Sequence, residues 1–116
     1  MNKVIVTLIL LASVSGYVFA ETGIASWYGG GEKLNKYTAN GDVFSPNEDT
    51  CASYAYKFGT LLKVTNVENG KSVIVRVNDR GPNKRLGRVI DLSKGAFSKI
   101  ASVKKGLIKV NVEVVE

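Results

Sequence analysis

The sequence predicts a small, mainly β domain closed into a barrel, with one short helix. Three observations carry this. Apolar residues alternate with period two in several short segments, two Asn-Gly pairs mark tight turns, and only one segment has helical spacing. Residues 23–28 are the first extended candidate. Residues 61–67 alternate, with Leu62 and Val64 on one face, and Asn69-Gly70 follows as a hairpin signal. Residues 72–77 form the return strand, with Val73, Val75 and Val77 on one face; Ile74 on the other implies that this side is partly covered too. The run NDRGPNKR at 78–85 reads as a loop, marked by Gly81-Pro82. Residues 88–92 are a short extended piece. Ser93 is then the expected N-cap of a helix reaching about Ala101, with Ala96, Phe97 and Ile100 on its buried face. The β-branched stretch 107–115 closes the chain as a strand. Between Gly29 and Lys57 the pattern is thin. Gly29-Gly30-Gly31 is a loop and Asn40-Gly41 a second turn. The glycine triplet is not a phosphate loop, because no Lys-Ser/Thr follows it. No internal repeat or low-complexity linker is visible.

The N-terminus has the layout of a secretory signal peptide. Lys3 precedes a nearly all-apolar run from Val4 to Ala12, and Val18-Phe19-Ala20 fits a small-x-small cleavage site before Glu21. The apolar run is about half of the roughly 20 residues a membrane span needs, and Ser13, Ser15 and Gly16 interrupt it. The expectation is therefore residues 1–20 as signal peptide and 21–116 as one domain, exported to the periplasm or the cell exterior, with no stable membrane insertion after cleavage. No Cys follows the apolar run, so anchoring through a lipidated N-terminal Cys is not expected. Processing lowers the net charge from +6 to +5, which suits an acidic polymer without choosing among polymers. No basic helix or aromatic-basic repeat points to nucleic acid. Cys51 is the only cysteine, so no internal disulfide forms, and a small buried apolar role is expected for it. The sequence contains no His, which removes Ser-His and Cys-His catalysis and most zinc sites.

Four segments occur in order: GIASWYG at 23–29, TANGDVF at 38–44, KFGTLLKVTNVENGKSVIVRVNDRGP at 57–82 and GRVIDLSKGAF at 87–97. Together they resemble the rare lipoprotein A (RlpA) family of lytic transglycosylases, which is related to expansins. The resemblance covers nearly the whole of 21–116. It implies a six-stranded double-psi β-barrel with one or two short helices. It also implies endolytic cleavage of the bond between N-acetylmuramic acid (MurNAc) and N-acetylglucosamine (GlcNAc) in peptidoglycan, without water and leaving 1,6-anhydro ends. One carboxyl group suffices for that chemistry, first as acid and then as base, so no metal or cofactor is implied. The partner would be peptidoglycan glycan strands, met by a monomer.

The same resemblance selects Asp91, in IDLS, and Asp79, in NDRGP, as the catalytic pair. From pattern alone, Asp91 is open to capping the helix instead, and Asp79 to pairing with Arg76 or Arg80. If the two acids approach each other, one must be pushed up in pKa; inward-pointing Arg76, Arg80 or Arg88 would push it down. The surround departs from the family pattern. Cys51-Ala52-Ser53 stands where Ala-Ala-His is usual, Asp42 replaces a Glu, and Ser45 replaces an Asp. Ser53 can hydrogen-bond a sugar but cannot shuttle a proton near neutral pH. Asp42, Ser53, Tyr37, Tyr54 and Arg80 are the expected substrate contacts. Among the aromatics, Trp27 suits core packing as well as sugar stacking, and Tyr37 and Tyr54 sit in loop-like contexts. Two other readings compete: an expansin-like glycan-binding or wall-loosening module, and a secreted factor acting on a host or competitor.

Overall fold

The computed structural model describes residues 20–115. The expected signal peptide falls almost wholly outside the described residues. Six strands form in chain order: β1 (Ala20–Tyr28), β2 (Thr50–Ala52), β3 (Leu61–Asn66), β4 (Ser72–Asp79), β5 (Ile90–Ser93) and β6 (Ile108–Val114). They close into a barrel in the order β1-β5-β2-β4-β3-β6. The β1–β5 and β2–β4 pairs are parallel, and the other four are antiparallel. Closure gives each of the six described strands a neighbour on both sides, which shortens the exposed edges of a small β domain.

The inward face is the alternating one read from the sequence. Leu62 and Val64 of β3, Val73, Val75 and Val77 of β4, Ile90 and Leu92 of β5, and Val110 and Val112 of β6 fill the lumen, together with Ala25 and Cys51. One helix, α1 (Lys94–Ile100), plugs an end of the barrel with Ala96, Phe97 and Ile100, all buried. Burying each such large apolar side chain stabilises the fold by about 1.5–3 kcal/mol. The Ser93 hydroxyl caps α1 by accepting from the Ala96 N–H (3.3 Å) while donating to the Glu48 carbonyl (2.6 Å). At the far end, the Ile100 carbonyl accepts from the side-chain amides of Asn66 (2.8 Å) and Asn69 (3.0 Å). The β3–β4 hairpin therefore caps the helix C-terminus. Gly70 in that hairpin has φ 77°, a conformation costly for other residues.

Three local readings are revised. The thin region contains β2, a three-residue central strand too short to show a period. The expected loop at 78–85 starts later, because Asn78 and Asp79 still belong to β4. β1 begins at Ala20 rather than Gly23, pairing along β6 from Ala20–Glu113 to Ala25–Ile108.

Candidate active site

Strand register assembles the site on the outer face of the barrel. Ser26 of β1 lies opposite Asp91 of β5, Asp91 opposite Ala52 of β2, and Ala52 opposite Asp79 of β4. The four residues thus form one row across four neighbouring strands. Ile90 and Leu92 point into the core, so Asp91 between them points out. Asp79 would point inward by alternation after Val73, Val75 and Val77. A bulge prevents this: Cys51 pairs with Val77 but Ala52 pairs with Asp79, leaving Asn78 as the extra residue. That one residue reverses the phase and brings Asp79 to the face that carries Asp91. Neighbouring strands are about 4.8 Å apart, so the two backbones stand roughly 10 Å apart with Ala52 between them.

Asp91 and Asp79 have different surroundings. Asp91 accepts a hydrogen bond from the Ser26 hydroxyl on Oδ1 at 3.0 Å. Burial pushes its pKa up to about 6, despite the opposing Ser26 bond and the Arg88 charge; the charges of Glu32 and Asp79 add to the rise. Glu32 is held beside the site by the glycine loop: its carboxylate accepts from the N–H groups of Gly29 (3.0 Å) and Gly30 (2.7 Å), which keep it below the usual carboxylate range. Asp79 accepts on Oδ1 from the backbone N–H groups of Ala39 (3.0 Å) and Arg80 (2.9 Å). It therefore anchors the Asn40-Gly41 turn, in which Gly41 has φ 96°. The alternatives for these two acids meet other partners: the N-cap of α1 is Ser93, not Asp91; Arg76 pairs with Asp42; and the Arg80 side chain bonds the Ser53 and Tyr56 carbonyls, while its backbone N–H donates to Asp79.

Two clefts open on this face. One, of about 540 Å³, is lined by Asp91, Tyr54, Arg80, Gly81, Pro82, Asn83 and Arg85. The other, of about 310 Å³, holds Asp79 among Tyr28, Tyr37, Thr38 and Phe44. Tyr54 and Tyr37 are exposed at their margins, with the Lys36 ammonium 5.6 Å from the Tyr37 ring. The Arg80 guanidinium donates to the carbonyls of Ser53 (2.6 Å) and Tyr56 (2.8 Å) and stacks on Phe58 at 3.8 Å, so it shapes the wall rather than neutralising Asp91. Asp42 lines neither cleft; its carboxylate bonds Arg76 at 2.8 Å and is held below the usual carboxylate range chiefly by that contact. Ser53 is fully buried, its Oγ accepting from the Ala55 N–H at 3.1 Å. Trp27 faces the core, its ring 6.4 Å from Phe97 and its N–H donating to the Val103 carbonyl. Among the described residues no group of three or more His, Cys, Asp or Glu could hold a metal ion.

Sequence reasoning missed Ser26, the donor to Asp91, and Asn78, the bulge. The alternation of β1 carries the signal for Ser26, since Ala25 and Trp27 face inward. The bulge leaves no mark in the sequence, because it is defined by the partner strand.

Comparison with known proteins places these features in a family. The family model described as "Lytic transglycolase", a double-psi β-barrel domain, matches residues 20–112. The endolytic peptidoglycan transglycosylase RlpA of Rickettsia bellii is 53% identical over 97 residues, covering 82% of this chain and 42% of that protein. The protein of the same name from Campylobacter jejuni is 48% identical over 93 residues, covering 80% and 33%. The chain thus spans less than half the length of these relatives. Two solved structures share the fold at 24% identity or less. A papain inhibitor from Streptomyces has a TM-score of 0.67, covering 84% of this chain and 96% of that one. An expansin variant from Clavibacter michiganensis in complex with cellohexaose has a TM-score of 0.67, at 84% and 51% coverage. With its closed six-stranded barrel and its family match over residues 20–112, the chain belongs to the lytic transglycolase family of double-psi β-barrel domains.

Proposed function

We propose that this domain is an endolytic peptidoglycan lytic transglycosylase, with Asp91 as its acid and base. One observation carries the assignment: Asp91 is the carboxyl group whose burial lifts its pKa to about 6 while it faces an open cleft. A group so placed still holds a proton at mildly acidic pH and can accept one near neutrality. Asp91 gives its proton to the glycosidic oxygen as the MurNAc C1–O bond breaks, and GlcNAc leaves as the alcohol. The C6 hydroxyl of the same MurNAc attacks C1, and its proton passes to the Asp91 carboxylate. The acid is regenerated, a 1,6-anhydro end forms, and no water is consumed. Asp79, in the same row, adds negative potential and steadies the Asn40-Gly41 turn that walls the second cleft. Tyr37, Tyr54 and Arg80 line the two clefts as sugar contacts. The work site is the exported cell wall, consistent with the names of the relatives. No helix among the described residues is long and apolar enough to cross a membrane.

A second reading, glycan binding without turnover, draws on Ser53, which stands at the position of the family His and is fully buried. One experiment separates the two. Purified protein is incubated with sacculi and with peptide-stripped glycan strands, and soluble products are analysed by mass. The lytic reading expects 1,6-anhydro ends and a loss of roughly 10²–10⁴-fold in Asp91→Asn. Asp79→Asn keeps an oxygen for the Ala39 and Arg80 N–H groups, so its fold should hold while turnover falls. Undiminished product from the double variant overturns the assignment. Binding with no product from the wild type supports the second reading.

A further inference from the structure

Tyr28 carries a hydroxyl that the fold does not need. Its ring is stacked on Phe44, with centroids 5.0 Å apart and planes at 22°. Its Oη is buried and has no hydrogen-bond partner among the described residues. A phenylalanine would make the same stack without leaving a polar atom stranded, and stranding one weakens a fold. The hydroxyl is therefore retained at a cost to stability, and its position suggests why. Tyr28 is two residues beyond Ser26 on the outward face of β1, and Ser26 already donates to Asp91. Tyr28 also lines the cleft that holds Asp79. Burial and then the charges of Asp79, Asp91 and Cys51 raise its pKa above the ordinary phenol value, so the group stays protonated and acts as a donor. Of the two acids, Asp79 already accepts from two backbone N–H groups, whereas Ser26 is the single hydrogen-bond donor given to Asp91 among the described residues. A carboxylate has room for about four donors.

We propose that Tyr28 is a positioning residue for Asp91, its hydroxyl donating to the Asp91 carboxylate, directly or across one water, once the proton has gone to the leaving oxygen. The inference deepens the lytic reading and rests on it for its kinetic consequence, but not for its structural one. Donation to the ionised form makes Asp91 a better acid. Removing the donor should raise the pH at which Asp91 titrates and slow the step that ionises it. The other groups acting on Asp91, namely Ser26, Arg88, Glu32 and Asp79, are the same in the variant and the wild type, so the difference isolates the hydroxyl.

The test is Tyr28→Phe in the whole chain. Asp91 is titrated by carboxyl-carbon NMR in both proteins, and turnover of peptide-stripped glycan is followed against pH. The expected result is a thermal midpoint equal to or above the wild type and an Asp91 midpoint higher by about one pH unit. A hydrogen bond to a charged group of that strength implies a kcat roughly tenfold lower, with KM unchanged and the alkaline limb of the pH profile displaced upward. An Asp91 midpoint that does not move overturns the proposal, whatever the turnover does. If the wild type forms no anhydro ends, the lytic reading fails while the NMR titration still decides the role of Tyr28. Should the Phe variant relax the Phe44 stack, replacing Tyr28 with 4-fluorophenylalanine keeps the shape without the donor, and the same two NMR outcomes apply.

Discussion

Neutralising Asp91 should stabilise the protein while disabling it, and the gain should depend on pH. The carboxyl is half-buried, and its pKa stands at about 6 against an ordinary 3.8. The unfolded chain therefore releases this proton before the folded one does. Between those two values the folded state binds more protons than the unfolded state, so stability falls as pH rises, and the deficit is complete above about pH 6. The displacement corresponds to at most about 3 kcal/mol, because one pKa unit is worth 1.36 kcal/mol and water in the cleft screens part of it. Asp91→Asn keeps the shape and an oxygen for the Ser26 hydroxyl, but carries no charge. At pH 8 it should raise the thermal midpoint by about 5–15 °C, using the roughly 4–8 °C per kcal/mol expected of a domain this size. At pH 4, where Asp91 is already protonated in the fold, the difference should shrink towards zero. The assay is thermal unfolding of the two proteins across pH 4 to 8. A midpoint difference that is constant with pH, or a variant less stable at pH 8, would refute the claim that Asp91 is held in an unfavourable charged state.

Further expectations follow from the same geometry. Ala52 separates Asp79 from Asp91, so Ala52→Leu should lose most glycan turnover; unfolding measured alongside will show whether the lost activity exceeds the lost stability. Asn66 joins the β3–β4 hairpin to the end of α1, and Asn66→Ala should cost about 1–3 kcal/mol in denaturant unfolding by removing one of the two donors to the Ile100 carbonyl and the acceptor of the Glu68 N–H. The Cys51 thiol is buried and its pKa is pushed up to about 12, first by burial and then by the Asp91 charge. It should resist a thiol reagent at pH 8 until the protein is denatured, and Cys51→Ala should change stability by about 1 kcal/mol or less.

The outline of the fold was legible because most strands bury one face. Val73, Val75 and Val77 alternate so cleanly that β4 reads directly from the sequence, and Ser93 announces α1 by its capping chemistry. β2 was not legible. Three residues cannot display a period, and Thr50, Cys51 and Ala52 are all buried, so no polar alternation marks them. For the site, Asp91 and Asp79 were singled out by resemblance, and their shared face was not derivable. It depends on the unpaired Asn78, a property of the β2–β4 register that the β4 sequence does not encode alone. Ser53 and Asp42 show the converse. Their residue types suit a sugar contact, but their surroundings were not legible: Ser53 is buried with its carbonyl accepting from Arg80, and Asp42 is paired with Arg76, contacts that come from parts of the chain more than twenty residues away.

The row that runs from Ser26 through Asp91 and Ala52 to Asp79 fixes distances in whole strands. Backbone hydrogen bonding sets that interval, and side-chain substitution cannot tune it by fractions of an ångström. Related barrels would then share one nearly invariant carboxylate gap and diversify only in the loops that wall the clefts. For protein engineering, the gap is a rigid ruler: it is set by strand register, and losing the bulge so that Ala52 paired with Asn78 instead of Asp79 would turn Asp79 into the core and erase the site in a single step while leaving the strand order intact.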